Sequence, residues 1–386
     1  MRLLFVADGR SPIALNWIRY FVEGGDEVHL VSTFACEPDL PLKGLEILPV
    51  AFSGLKKPRS AAQPAASASA ALGLRTGLRQ WLGPLTIPRA AHQLRRLIQR
   101  IQPDLVHALR IPYEGMLAAE AYAGIPLVVS VWGNDFTLHG LSTPLMRHYT
   151  QWTMEVADAL HADCRRDIRL ARQWGLAAGK PTLVIPGNGG IRLDRFHPPA
   201  EPVSEPVLLN PRGFRAYVRN DVFFQAIPRV LEKRPEARFM CCAMAGDPRP
   251  LGWIRELRIE HAVELLPLVE PQRMADVFRS AQVVVSPSVH DGTPNSLLEG
   301  MACGCLPVAG DLESIREWIS PGQNGLLFDA RDARSTASAM LAALENENLR
   351  VKAAGFNREM LSSRAEYGAC MSQAQAFYER VIRAPG

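Results

Sequence analysis

Two acids, Asp291 and Glu299, flank a Gly-Thr-Pro-Asn-Ser run in "HDGTPNSLLEGMACGCLPVAG", and an arginine, Arg212, lies upstream in "LLNPRGFRAYVRNDVFF". Carboxylates accept hydrogen bonds from hydroxyls, and a guanidinium fork binds phosphate oxygens bidentately. The elements that must carry these groups are legible nearby. Residues 281–288, "AQVVVSPS", form a short β-branched apolar run, which predicts a strand buried on both faces. Thr293 is a good N-cap, and Pro294 falls at the first helical position, where its missing N–H costs nothing. Gly304 can close the helix with a left-handed residue. Leu297, Leu298, Met301 and Ala302 give that helix one apolar side, with Glu299 one turn above Asn295 and near Ser296 on the other.

The expectation is therefore strand, glycine-containing loop, then a helix whose free N–H groups point out at the carboxyl end of a parallel strand. Open α/β sheets bind ligands there, and the positive helix end suits phosphate. An anion gains about 0.3–2 kcal/mol from the dipole. Direct N–H bonds to a charged oxygen add about 1.5–3 kcal/mol each. Two acids beside an anion site make sense if backbone N–H groups hold a diphosphate while the carboxylates take hydroxyls on either side. A nucleotide sugar has that pattern. The plain alternative is a capped helix with one exposed Asp and one exposed Glu.

The rest of the chain supplies two frames for such a site. At 386 residues it predicts two domains, and 47% hydrophobic with 21% charged residues excludes a disordered chain. Short apolar runs alternate with helical periods: "LLFVA", "VHLVS", "LEILPV", "DLVHAL", "PLVVSVW", "ALHADC" and "TLVIPG" in the first half. "VLLNPRG", "ARFMCCAMAG", "VELLPLV", "QVVVSPS", "CLPVAG" and "GLLFD" follow in the second. The proline-rich "FHPPAEPVSEP" separates them. The fold class expected is α/β, two tandem Rossmann-like doubly wound parallel-sheet domains with an interdomain cleft. The domains run 1–198 and 199–365, and a last helix over 366–386 is expected to pack back on the first. The tail predicts two helical patterns, "ASAMLAALENENLRVKAAGF" and "ACMSQAQAFYERVI".

Several chemistries are excluded by what is missing. There is no GxGxxG after the first strand, only "ADGRSP", no GxxxxGK[ST] and no GxSxG. No D-x-D occurs, so no metal is expected, and a leaving diphosphate must be neutralised by Arg, Lys and N–H groups. Arg212 follows a strand beside Gly213, while Arg215 and Arg219 continue the loop towards the next helix. The seven cysteines hold no CxxC pair and read as buried reduced thiols, which points to the cytoplasm. No apolar run is long enough to span a bilayer.

Charge is distributed unevenly. Between Glu46 and Asp104 there is no acid, while Lys56, Lys57, Arg59, Arg75, Arg79, Arg89, Arg95, Arg96 and Arg100 fall there. A Pro/Ala/Ser segment, "SAAQPAASASAAL", reads as a mobile loop, and the basics after it interleave with Leu, Trp and Ile. Residues 56–100 therefore suggest peripheral contact with an anionic membrane, at the cytoplasmic face. An ordinary amphipathic helix with a basic solvated side is the alternative. Nucleic acid is not an expected partner, since one Trp among the basics makes no stacking platform.

The motifs together resemble the retaining, two-Rossmann-domain (GT-B fold) glycosyltransferases of family 4. "PSVHDGTPNSLLEGMACGCLPVAGD" is similar to that family's E-x7-E motif, with Asp291 and Glu299 in the acidic places. "VIPGNGGIRLDRFHP", "GQNGLLFD" and "SVWGNDF" match further family segments. The resemblance implies that Glu299 binds the nucleotide ribose and that Asp291 contacts the transferred sugar. It places the segment Gly292, Thr293, Pro294, Asn295, Ser296 and Leu297 around sugar and diphosphate, with Arg212 on the diphosphate and Arg219 as the second cation. Asp135 matches the family's acceptor-side Asp, and Gly9, Arg10, Ser11, His107, Arg110 and Trp132 complete the acceptor side. The departures are Asp for Glu at 291, Arg for Lys at 219, and Trp132 where the family usually has His. Transfer with retention from a nucleotide-diphosphate sugar is implied, without a cofactor beyond the donor. The acceptor would be a glycan, lipid-linked or small-molecule hydroxyl in cell-surface glycan or glycolipid biosynthesis. The rivals are another nucleotide-sugar enzyme on the same fold and a non-catalytic carbohydrate- or nucleotide-binding partner subunit.

Overall fold

The structure, a computed structural model, describes residues 1–53, 77 and 79–384. The whole Pro/Ala/Ser segment, and Lys56, Lys57, Arg59 and Arg75 of the basic stretch expected to contact a membrane, lie outside the described residues. The chain divides into two compact units. One runs from Met1 to Gly190 and resumes at Gly368; the other spans Ile191–Tyr367.

The first unit holds β1 (Arg2–Ala7), α1 (Pro12–Glu23), β2 (Glu27–Ser32), β3 (Gly44–Ile47), α2 (Ile87–Ile101) and β4 (Leu105–Ala108). It continues with α3 (Met116–Glu120), β5 (Leu127–Val131), α4 (Pro144–Val156), β6 (Ala159–Ala162), α5 (Arg165–Gln173) and β7 (Thr182–Val184). The strands form one parallel sheet, ordered β3-β2-β1-β4-β5-β6-β7. β4, β5 and β6 are buried at every residue, which is why they read as mostly apolar runs, broken only by His107, Ser130 and His161, rather than as alternating ones. Strand order reverses between β1 and β4, so the loops after those two strands diverge and leave a crevice at their carboxyl ends.

The second unit repeats the plan with β8 (Val207–Asn210), α6 (Asn220–Leu231), β9 (Arg238–Cys241), α7 (Pro248–Leu257), β10 (Val263–Leu265), α8 (Met274–Arg279) and β11 (Val283–Ser286). Then come α9 (Asn295–Ala302), β12 (Leu306–Gly310), β13 (Leu326–Phe328), α10 (Ala333–Glu345) and α11 (Glu347–Arg364). Its parallel sheet is ordered β10-β9-β8-β11-β12-β13, with the reversal between β8 and β11. Residues 191–198, expected to end the first domain, pack with this unit: Ile191 accepts from the Tyr367 N–H, and Phe196 meets the Phe278 ring edge-on at 6.2 Å. The single helical pattern expected from Ala337 is broken at Asn346, whose Oδ1 accepts the Leu349 N–H at 2.9 Å and starts a second helix.

The last helix, α12 (Tyr367–Arg383), belongs from Gly368 to the first unit. Tyr378 stacks on Phe21 at 4.8 Å, and its hydroxyl accepts from Trp17 Nε1 at 2.8 Å.

Candidate active site

In the second unit the site is assembled by two loops at the reversal of strand order. The loop after β8 and the loop after β11 are zipped together: Arg219 N–H donates to Pro287 O at 2.7 Å, and Val289 N–H donates to Tyr217 O at 2.9 Å. This brings Arg212 onto the acid: Nη2 lies 2.7 Å from Asp291 Oδ2, and Nη1 is 3.4 Å from Ser296 Oγ. Both side chains of the pair are only 13% exposed. The Arg212 Nε is buried with no hydrogen-bonding partner among the described residues, and so is Asn295 Oδ1.

Two asparagines hold the arginine loop. Asn210, wholly buried at the end of β8, accepts the Arg212 N–H at 3.0 Å and donates to Asn220 Oδ1 at 2.9 Å. Asn220 in turn donates to Gly213 O at 2.9 Å, across a residue with φ of +51° that favours glycine. On the other side, Ser314 Oγ donates to Asp291 O at 2.7 Å, and Trp318 Nε1 donates to Thr293 Oγ1 at 2.9 Å.

That last bond corrects the cap. Thr293 is not the N-cap of α9; Pro294 is, with φ −76° and ψ 105°, and no side chain caps the helix. The first N–H groups, at Asn295 and Ser296, precede any intrahelical bond and meet no side-chain cap among the described residues. The far end closes as expected: Gly304 has φ +89°, Gly304 N–H reaches Met301 O, and Cys305 N–H reaches Gly300 O. Gly300 lets α9 lie directly on β11, since a Cβ there would meet Val284 at 2.9–3.1 Å.

Glu299, one turn along the helix from Asn295, takes part in no hydrogen bond among the described residues. Burial pushes its carboxyl up to about 7, against the opposing pull of Arg195. Arg219 does not join this group. Its guanidinium forks onto Asp221 at 2.9 and 2.7 Å, and the half-exposed pair holds Asp221 below the usual carboxylate range. Arg215 is exposed and donates to Phe214 O.

In the first unit, Asp135 is a wholly buried hub. It accepts from Arg110 Nε at 3.1 Å, Ile111 N–H at 3.2 Å and Trp132 N–H at 3.1 Å. Burial raises its carboxyl, while Arg110 and the two N–H groups oppose the rise. Asp135 thus joins the loop after β4 to the loop after β5. Trp132 keeps a buried, unpartnered Nε1, and its ring lies 3.3 Å from where a Cβ on Gly187 would stand. In the loop after β1, Gly9 N–H donates to Ser32 Oγ at 3.0 Å and Ser11 Oγ caps α1 at Ala14 N–H. Arg10 forks onto Asp8 at 2.9 Å and lies 3.6 Å over the Phe34 ring.

His107 is a correction. Expected at the cleft, it is 0% exposed and sits in a buried chain of bonds. Trp17 Nε1 donates to Tyr378, Tyr378 pairs with His107 Nδ1, His107 Nε2 with Ser130 Oγ at 2.8 Å, and Ser130 with His161 Nδ1 at 2.8 Å. His161 Nε2 ends the chain on Ile185 O at 3.0 Å. Burial keeps both imidazoles neutral, and the carbonyl end then sets the order: His161 Nε2 donates to Ile185 O, Ser130 to His161 Nδ1, His107 Nε2 to Ser130, and Tyr378 to His107 Nδ1. Burial pushes His107 well below the usual histidine range and His161 down to about 4.

Sequence reasoning missed Glu114, Arg79 and His139, which gather beside Arg110. Glu114, buried, accepts from Thr33 Oγ1 at 2.6 Å, and burial pushes its carboxyl up to about 7. Their loop is strained: Arg110 has φ 125° and Tyr113 φ 73°, conformations that cost non-glycine residues about 1–3 kcal/mol each. Positive φ at Tyr113 carries no sequence signature, and Arg79 is more than thirty residues away. One acid-containing cluster with metal-ligand potential occurs among the described residues, Asp163, Cys164 and Asp167, and the Arg166 guanidinium pairs with its Asp167 Oδ1 at 2.8 Å.

Comparison with known proteins follows this geometry. Residues 9–187 match the family model described as "Glycosyl transferase 4-like domain", and residues 206–346 match "Glycosyl transferases group 1". A phosphatidyl-myo-inositol mannosyltransferase of Mycobacterium leprae is 24% identical over 342 residues, covering 76% of this chain and 90% of the relative. The D-inositol 3-phosphate glycosyltransferase 2 of Catenulispora acidiphila is 26% identical over 235 residues, covering 56% of this chain. This chain spans about half the length of such inositol 3-phosphate relatives, 54% in that case. Among solved structures, sucrose-phosphate synthase from Thermosynechococcus elongatus superposes with TM-score 0.78 at 15% identity over 100% of both chains. Anabaena Alr3699/HepE, solved in complex with UDP, gives TM-score 0.73 at 14% identity over 98% of this chain and 100% of its own. At such identities the structures establish the fold: two parallel-sheet α/β domains of the GT-B kind.

Proposed function

We infer the reaction from membership: this chain belongs to the two-domain glycosyltransferases of group 1. It moves a hexosyl group from a nucleotide-diphosphate sugar to an acceptor hydroxyl, with retention of anomeric configuration and without a metal. The observation that carries this reading is the Arg212–Asp291 pair beside the uncapped N-terminus of α9, with Arg212 Nε and Asn295 Oδ1 buried and unpartnered.

In this reading the open N–H groups and the Arg212 fork take the diphosphate, and Glu299 takes the ribose hydroxyls. Asp291, already held by Arg212, accepts from a hydroxyl of the transferred sugar. Arg212 and the helix end then stabilise the charge that grows on the leaving diphosphate, a metal-free form of electrostatic catalysis. The acceptor hydroxyl attacks the face that the diphosphate is leaving, and a leaving phosphate oxygen takes its proton. Holding donor and acceptor in line accounts for up to about 7–11 kcal/mol of the barrier. Asp135 organises the acceptor-side loops rather than touching the reacting atoms, because all its bonds go to Arg110, Ile111 and Trp132. Arg219 supplies longer-range charge from its fork on Asp221.

A glycolipid or membrane-near glycan acceptor is supported by the surface before and along α2. Trp81, Leu82 and Leu85 are 61%, 42% and 64% exposed, and Arg89, Arg95, Arg96 and Arg100 are exposed along the helix that follows. Apolar side chains beside basic ones suit an anionic bilayer surface. No helix among the described residues is long and apolar enough to cross a membrane. The test is to incubate the protein with nucleotide sugars and a membrane extract in EDTA, and to read the anomeric configuration of labelled product by NMR. Retained configuration supports the reading; inverted product or dependence on added metal overturns it.

A further inference from the structure

We propose that Arg195 is a positioning residue of the donor site: it faces Glu299 from the segment beside α9 and keeps that carboxylate charged while it accepts the donor's hydroxyls. The proposal rests on the reading above in which Glu299 takes the ribose.

Residues 195–198 run alongside the second half of α9, and their register follows from three contacts. Pro198 Cβ stands 3.6 Å from where a Cβ on Gly304 would be. The His197 backbone meets the Cys303 thiol. Phe196 enters the same apolar core as Leu297, Leu298 and Met301 of the helix. The next residue back, Arg195, therefore lies level with Glu299, one helical turn before Cys303. Its main chain is pinned there, since Arg195 O accepts from Arg279 Nη1 at 3.2 Å, and its guanidinium lies 5.3 Å from the Phe196 ring centroid.

Both groups are unmet. Arg195 Nη2 is buried with no hydrogen-bonding partner, and Glu299 accepts no bond among the described residues. A buried guanidinium nitrogen and a buried carboxyl are each costly to leave unpaired. One event satisfies both. Donor hydroxyls favour the ionised carboxylate, and the charge they stabilise is met by Arg195. No other cation does this work. Arg212 is committed to Asp291. Arg279 from α8 and Arg358 from α11 face Cys303 on the next turn, and burial pushes that thiol up to about 12, so it stays neutral. Among the described residues, Arg195 is the one charged side chain that acts on Glu299. Without it, burial alone sets the carboxyl and favours the protonated form, which cannot accept two hydroxyls as the carboxylate does.

The test is donor affinity against pH, read by calorimetry. The probe is whichever of UDP-glucose, GDP-mannose, dTDP-glucose and ADP-glucose raises the wild-type melting temperature; none carries a phosphate that titrates near neutrality. Wild type is compared with Arg195→Gln, Arg195→Lys, Glu299→Gln and the double variant Arg195→Gln with Glu299→Gln. Arg195→Met, which keeps the stem and removes the buried guanidinium, replaces Arg195→Gln should that fold poorly. Wild-type affinity is expected to rise with pH about a midpoint near 7. Arg195→Gln should move that midpoint up by about one pH unit, so binding falls about tenfold on the acid side of it and returns to within about twofold of wild type well above it. Arg195→Lys should recover most of the displacement. With Glu299→Gln already present, loss of Arg195 should change nothing further. A loss of equal size at every pH, or one that persists beside Glu299→Gln, overturns the proposal, since a structural role or a direct phosphate contact would behave so. Failure of the ribose assignment looks different: Glu299→Gln then keeps the wild-type affinity and slope, and the proposal falls with it.

Discussion

Arg212 Nη2 and Asp291 Oδ2 meet at 2.7 Å across the carboxyl ends of adjacent strands β8 and β11, each side chain 13% exposed. The pair sets a guanidinium against a carboxylate from two different loops, which the proposed reading uses for phosphate and for sugar hydroxyls. The Asn210–Asn220 bond sets one partner, and Ser314 sets the backbone of the other.

On the proposed reading, Arg212→Ala removes the group assigned to the leaving diphosphate, and it strands Asp291 without its guanidinium. The expected loss in kcat is about 10²–10³-fold, the scale for removing one stabilising donor of a developing anion. Arg212→Lys recovers only part, because a point charge cannot replace a fork. Steady-state kinetics on both variants, with melting temperature as the control for folding, checks this.

Glu299 gives a pH signature. Its carboxyl is pushed up to about 7 by burial, so near neutrality the free protein holds part of it protonated. Ribose hydroxyls donate to the ionised form and so favour it. Donor affinity should therefore rise as pH increases from 6 to 8, with a proton released on binding, and level off above. Calorimetry of a nucleotide sugar in buffers of different ionisation enthalpy reads that proton directly. Glu299→Gln should bind more weakly and lose both the slope and the proton.

Tyr378 ties α12 to His107, and both buried histidines have depressed pKa values. An unfolded histidine takes up a proton near pH 6.5, whereas His161 in place does so only near 4. Stability is then full above the unfolded value and falls as pH drops through that window, by about 3 kcal/mol for His161 on the scale of one pKa unit per 1.36 kcal/mol. Tyr378→Phe leaves the Trp17 indole N–H and His107 Nδ1 buried and unpaired, costing about 1–3 kcal/mol each. Urea denaturation between pH 7.5 and 5 should show both the acid slope and the lower midpoint of the variant.

The central strands of each sheet were legible because they are buried on both faces and so appear as mostly apolar runs; "DLVHAL" and "QVVVSPS" became β4 and β11 with little shift in boundary. The donor-side loop was legible for a similar reason, since Asp291 to Gly304 is one contiguous segment. What failed was anything set from a distance. Thr293 loses its expected capping role because Trp318, twenty-five residues on, occupies its hydroxyl. His107 reads as a strand-end residue, but a strand buried on both faces gives no sign of which side faces solvent, and Tyr378 covers it from the far end of the chain. Arg79 and Glu114 meet only through the fold, and Asn210 and Asn220 look like ordinary polar residues until their side chains are seen to pair. The break at Asn346 was hidden inside a continuous helical period because asparagine caps only when the backbone turns out of the helix.

The most direct test of the account is binding of nucleotides to the second unit's site. Wild type, Glu299→Ala and Arg212→Ala are screened by thermal shift against UDP, GDP, dTDP and ADP and their sugars. Mass action gives about 2.7 kcal/mol of stabilisation at a hundredfold excess over the dissociation constant. The account predicts that one nucleotide class raises the wild-type melting temperature and does so far less in either variant. Absence of any shift in the wild type, or an equal shift in all three proteins, would contradict it.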